Sequence, residues 1–168
     1  MKILRPVFAI IAGIIVMVVV VALVEAVGHA MFPPPQEVID TVMAYYEVST
    51  TGDPETVAAA REARNVAIGD YLRDAPVGAL LFVVSAWIVG AFLGGGVAAL
   101  TDRRNAVAFA LAVGLVDVFG IVYTTQVDIS HPLWMPVVGV AGVVVAALAA
   151  GKILEKRKVD AVESPEAT

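Results

Sequence analysis

Four apolar runs constrain this chain more than any other feature: Val7–Gly28, Val77–Leu100, Ala106–Tyr123 and Leu133–Gly151. Each is about 18–25 residues, the length at which an α-helix crosses a hydrocarbon core of ~30 Å. The chain has 168 residues, of which 60% are hydrophobic and 16% charged. Soluble domains carry roughly 45–50% apolar and about 25% charged residues. The apolar surplus sits inside the four runs, which points to a membrane domain. The expected fold is all-α and polytopic: a bundle of four transmembrane helices with a short helical extracytoplasmic loop. One membrane domain covers residues 1–155, with the outer loop at 32–75 and a disordered cytoplasmic tail at 156–168. Cysteine is absent, which excludes disulfides, thiolate metal sites and thiol nucleophiles.

The amino-terminal run is longer than the h-region of a secretory signal, and Glu25 and His29 suit a cleavage site poorly. An uncleaved anchor is expected. Lysine and arginine then set the orientation. Lys2 and Arg5, Arg103 and Arg104, and Lys152, Lys156, Arg157 and Lys158 fall on one side of a chain that crosses four times. Only Arg61, Arg64 and Arg73 fall on the other. The reading is a multi-pass inner-membrane protein with both termini cytoplasmic.

The outer loop has its own signals. Pro33-Pro34-Pro35 gives a stiff, extended exit from the first run. Gln36–Tyr46 places Val38, Val42, Tyr45 and Tyr46 near one helical face, with Met43 beside them. Asp53-Pro54-Glu55 combines an N-cap, a first-turn proline and a first-turn acid, so a second helix starts there and runs to Asp74. Its charges read as a solvated face.

Between helices in lipid, close packing of small residues replaces water-driven burial. Gly90 and Gly94 form such a pair in the second run; Gly139, Gly142, Ala146 and Ala149 form a stripe in the fourth. These faces serve the internal bundle or, as the less favoured expectation, a homodimer or a membrane-protein partner. The lipid bilayer is the first partner expected, and nucleic acid is not one.

Polar residues at depth carry what chemistry there is. Counting ~1.5 Å per residue puts Asp117 ~2–4 Å outward of the midplane and Ser85 ~4–5 Å outward. Glu25 comes out ~12 Å outward, with His29 and His131 ~16–18 Å, near the interface. An ionisable group inside a span is a functional-site hypothesis by default. Asp117 is either neutral and bonded to Ser85 or a free carbonyl, or ionised in a wet cavity where it handles a proton or cation. No lysine or arginine occupies a span core, which favours the neutral form. The leading expectation for Asp117 is interhelical glue. Glu25, His29 and His131, joined by Asp128, make a second constellation whose residue types suit a divalent metal. The blander reading pairs Glu25 with His29 and leaves His131 at the start of the fourth span. No cofactor is expected, and no phosphate loop or nucleophile–base spacing marks an enzyme.

Glu25-Ala-Val-Gly-His29 followed by the three prolines, Ala79-Leu-Leu-Phe-Val-Val-Ser-Ala-Trp87 with its glycine-rich continuation, and His131-Pro-Leu-Trp134 carry a resemblance. They resemble a group of small bacterial four-span integral membrane proteins. The resemblance covers the membrane part and omits the outer loop. It implies a bacterial inner-membrane protein and assigns no activity. As a mechanism class, an intramembrane acid on four spans is also similar to small multidrug transporters. Those are shorter and keep their acid near the midplane of the first span, whereas Glu25 lies close to the outer surface. The leading expectation is therefore a non-enzymatic interaction or accessory component. The alternative is a small dimeric transporter or proton/ion-coupled permease using Asp117, with Ser85, Glu25 and His29 as accompanying polar groups. Metal binding at Glu25, His29 and His131 is the minor alternative.

Overall fold

A computed structural model describes residues 4–50, 52–101 and 103–163. All regular structure among them is helical: α1 (Leu4–Met31), α2 (Gln36–Ser49), α3 (Pro54–Asp74), α4 (Val77–Thr101), α5 (Ala106–Tyr123) and α6 (Trp134–Glu163). A 3-10 turn at Arg103–Asn105 joins α4 to α5, and a π-turn at Thr124–Asp128 extends α5. Four of the helices, α1, α4, α5 and α6, are long and apolar enough to cross a membrane. The chain is an all-α, four-span bundle, as its hydropathy implies. The bundle has a terminal end, where α1 starts and α4 finishes, and a loop end, which bears α2 and α3.

The helix starts follow local chemistry. Asp53 caps α3, accepting from the backbone N–H groups of Glu55 and Thr56 at 3.1 Å each and from the Thr56 hydroxyl at 2.6 Å. Those bonds, the Thr56 hydroxyl foremost, hold the Asp53 carboxyl below the usual range. Pro54 follows at the first helical position, where its missing N–H leaves no bond unmade. The three prolines hold an extended break between α1 and α2. α6 continues to Glu163. Lys, Arg, Glu and Ala favour helix and no proline interrupts them before Pro165. Residues 164–168 lie outside the described residues.

α4 is the hub, packing against α1, α5 and α6. The glycines explain how closely. A Cβ on Gly94 would stand 2.5 Å from the Gly13 carbonyl oxygen, and one on Gly90 2.7 Å from Val21 Cγ2. The Gly90/Gly94 pair thus seats α1 against α4. Gly139 makes room for the Trp87 ring and Gly142 for Ile88, which seats α6 against α4. Ala146 is buried in the same core as Leu80, Val84, Trp87 and Ile121. All five expected packing residues, Gly90, Gly94, Gly139, Gly142 and Ala146, are used within one chain. The outward faces, such as Leu4, Phe8, Ile11, Ile15 and Val19 of α1, are apolar and exposed, as a lipid-facing surface must be.

Each end is fastened differently. At the terminal end the Arg5 guanidinium donates to the Thr101 carbonyl at 3.1 and 3.3 Å, filling an acceptor left open where α4 stops. At the loop end Phe32 packs on Phe82, ring centroids 6.0 Å apart. The α2–α3 hairpin is held in part by the Arg64 guanidinium over the Tyr45 ring at 4.5 Å. The far end of α3 reaches the bundle: Leu72 is buried in the main core, and Gly69 approaches Ser130.

Candidate functional site

α1 and α5 touch at the terminal end and part toward the loop end. Their contact is built from Gly13, Ile14, Met17, Phe109 and Val113, with Ala98 of α4 closing it. Beyond Met17 the two helices separate, with Val83 and Trp87 of α4 behind them, around a groove of about 440 Å³. On α5 the lining residues are Asp117, Gly120, Ile121 and Thr124, at the three- and four-residue spacing of one helical face. On α1 they run from Met17 to Glu25, and His131 stands at the loop end. The groove therefore extends ~12 Å along α1, from mid-span to the last turns of the helix.

Its polar groups share one property. Asp117 is 93% buried (7% relative exposure), and its Oδ2 has no hydrogen-bond partner. Glu25 adds a second carboxyl. The His131 ring presents Nδ1 to the Ile129 carbonyl at 2.8 Å; since a carbonyl only accepts, Nδ1 carries the proton and Nε2 is the acceptor. Burial holds His131 below the ordinary imidazole range, and the Ile129 bond offsets part of that, so the ring is neutral at neutral pH. Among the described residues, no lysine or arginine lines the groove. It is a space walled by apolar side chains with acceptors at mid-depth and at its loop end.

The π-turn sets the loop-end geometry. The Thr124 carbonyl accepts from the Ile129 N–H at 2.9 Å, and the buried Thr125 hydroxyl donates to the Ile121 carbonyl at 2.7 Å. One extra residue per turn there brings the chain round so that His131 joins Thr124 at the groove.

Two pairings expected from the sequence are not formed. Ser85 does not meet Asp117: its hydroxyl donates to the Phe82 carbonyl of its own helix at 3.0 Å. The two residues match in depth, but Val83 and Trp87 are the α4 residues that face the groove, and Ser85 is rotated ~200° from Val83. Nor do Glu25, His29 and His131 form a metal-holding set; among the described residues no three His, Asp or Glu side chains gather into one. His29 instead lines a separate cavity of about 50 Å³ with Glu25, Phe32, Tyr71 and Phe82. Glu25 thus forms part of the wall of both spaces. The Asp128 side chain lies outside the described residues.

Trp87, Gly120 and Thr124 were not among the residues singled out from sequence. The α5 members could have been found by counting from Asp117 at helical spacing. Trp87 could not, because nothing in the sequence says which side of α4 faces α5. No family model matches the chain, and neither a curated protein nor a solved structure does.

Proposed function

We propose that this chain is a small non-enzymatic membrane transporter or proton/ion-coupled permease that holds its charge in the α1–α5 groove. It sits in a bacterial inner membrane with both termini in the cytoplasm. The observation that carries this reading is the Asp117 carboxyl, buried at mid-span with Oδ2 unpartnered, on a residue that lines the groove. Interhelical glue would bond its carboxyl to a neighbouring helix, whereas a group that takes up a proton or cation keeps acceptor capacity free. Glu25 and His131 provide further acceptors on the loop-end side, a sequence of stations for a cation moving inward. The contact of Gly13, Met17 and Val113 closes the groove toward the terminal end. Transport then requires that contact to open while the groove closes.

Purified protein in proteoliposomes should dissipate a proton or monovalent-cation gradient, and Asp117→Asn should abolish the flux while leaving the helical circular-dichroism spectrum intact. Wild-type vesicles indistinguishable from empty ones for every gradient would end this reading.

A second reading rests on a different surface. The α2–α3 hairpin exposes most of its length and packs on the bundle core at its far end, from Ile68 to Ala75. An accessory protein would use such a hairpin to meet a partner on the extracytoplasmic side. Crosslinkers placed at Met43 and Tyr46, both exposed on α2, would trap that partner in membranes; recovery of the monomer alone would remove it.

A further inference from the structure

The rim of the groove lies at bilayer depth. Val18 and Ala22 of α1 and Gly120 of α5 are exposed where the two helices part, and all three are inside the spans. This rim therefore opens sideways, onto hydrocarbon. An inorganic cation is not delivered from that direction, because lipid tails do not dissolve it. A molecule arriving there must carry its own apolar body. A positive polar part suits this lining, which holds the acids Asp117 and Glu25 and, among the described residues, no cationic side chain. A phosphate-bearing lipid headgroup fails the same criterion, because nothing in the groove would neutralise the phosphate. Trp87 lines the same space as the carboxyl and brings an aromatic side chain, a residue type that suits an ammonium group. The volume of about 440 Å³ falls in the range of small-molecule sites, roughly 300–1,000 Å³.

We infer that the groove binds a lipid-soluble amine in its ammonium form, taken sideways from the bilayer, with the charge at Asp117 and the apolar body against Val21, Val83 and Trp87. This deepens the transporter reading, on which it rests for its biological meaning.

The chain has two tryptophans, and Trp134 lies away from the groove at the start of α6. In a Trp134→Phe background Trp87 is the only indole and reports directly on the site. The protein in phosphatidylcholine nanodiscs is titrated at neutral pH with para-bromophenethylamine and, as the uncharged counterpart, para-bromophenethyl alcohol; bromine quenches indole on contact. The amine should quench Trp87 saturably and the alcohol only in proportion to its partitioning. Asp117→Asn should weaken amine binding by about tenfold or more, the loss of one charge-assisted contact.

Gly120→Leu guards against a folding artefact. Gly120 lines the groove and nothing lies within 4 Å of a Cβ there, so a side chain can be added at the groove wall without disturbing the helices. It should weaken binding to a similar extent with Asp117 intact. Equal quenching by amine and alcohol, or unchanged affinity in both variants, overturns the inference. So does loss of amine binding when phosphatidylethanolamine is added to the nanodiscs, which would make a lipid headgroup the occupant. Saturable, Asp117-dependent amine binding without any flux would sink the permease reading and leave this one standing. Asp117-dependent cation flux without saturable amine binding would do the reverse.

Discussion

α1 makes two seams, and they end differently. Against α4 it stays close along its whole length, through Gly13 and Gly94, then Gly90 and Val21, then Gly28 and Phe82. Against α5 it closes only around Gly13 and Val113 and then opens. Small residues occur on both seams, so smallness alone does not decide. Gly94 is met by another glycine, backbone to backbone, whereas a Cβ on Gly120 would meet nothing. Without a water-driven force between helices, a small residue closes a seam only when its partner supplies complementary surface. Where nothing comes within reach of the small residue, as at Gly120, a space is left. The closed seam is architecture, and the open one is where ligand chemistry is available.

The largest expected effect tests the closed seam. Gly94→Leu drives a side chain into the Gly13 carbonyl and the Met17 backbone, neither of which can yield without separating the helices. Overpacking a well-filled contact costs about 1–3 kcal/mol and occasionally more, and here the obstruction is backbone on both sides. Reversible unfolding in bicelles should show a large loss of stability or no folded protein. Gly120→Leu, on the open seam, should leave stability unchanged. If the two substitutions behave alike, the distinction between the seams is wrong.

Next in size is Asp117→Leu. A buried carboxyl oxygen without a partner costs roughly 1–3 kcal/mol, so an apolar side chain of similar length should raise stability by a comparable amount. Interhelical glue predicts the opposite sign. Thermal unfolding in detergent separates the two. A more stable protein that has lost flux would mark Asp117 as a residue kept for its chemistry at the expense of the fold.

How far the sequence reaches is clear from individual residues. The spans, the α3 cap at Asp53 and the Gly90/Gly94 contact face follow from length, spacing and side-chain type, which are local properties. The failure at Ser85 has a simple cause: depth along a span is readable at 1.5 Å per residue, but the rotation of one helix relative to another is not. Ser85 and Asp117 share a height and face different neighbours. Glu25 and His29 share a helical face, as their four-residue spacing requires, yet His131 meets the groove and His29 the small cavity. That division depends on where the π-turn carries the chain after Thr124, and nothing in Thr124–Asp128 announces an i to i+5 turn. The ionisable residues of the groove, Asp117, Glu25 and His131, were visible, then, while its apolar lining and their grouping were set by tertiary packing.

His131 sharpens the comparison through pH. Burial keeps its imidazole below the ordinary value of about 6.5, so the folded protein holds that proton less tightly than the unfolded chain. As pH falls through that ordinary value the unfolded state takes up the proton first. The contribution of His131 to stability is whole above this range and declines below it until the folded ring also protonates. His131→Gln should flatten that part of the pH–stability curve, and hydrogen exchange should localise the acid loss to Ile121–His131 at the open seam. Acid loosening centred on Gly13 and Gly94 instead would show that the two seams do not differ in this respect.

The smallest effect is expected where the closed seam meets water. Arg5 places its guanidinium on the last carbonyl of α4, a bond at an exposed helix terminus. A cation at a helix C-terminus is worth about 0.3–1 kcal/mol at low ionic strength, and salt screens it. Arg5→Ala should therefore destabilise slightly in dilute buffer and less as salt is added, while Arg5→Lys keeps part of the effect through charge alone. The α1–α4 seam itself should survive Arg5→Ala, because Gly13, Gly90 and Gly94 hold it by contact rather than charge. A loss as large as that of Gly94→Leu would mean that the terminal end is tied by its cap, and that the glycine contacts follow from closure instead of producing it.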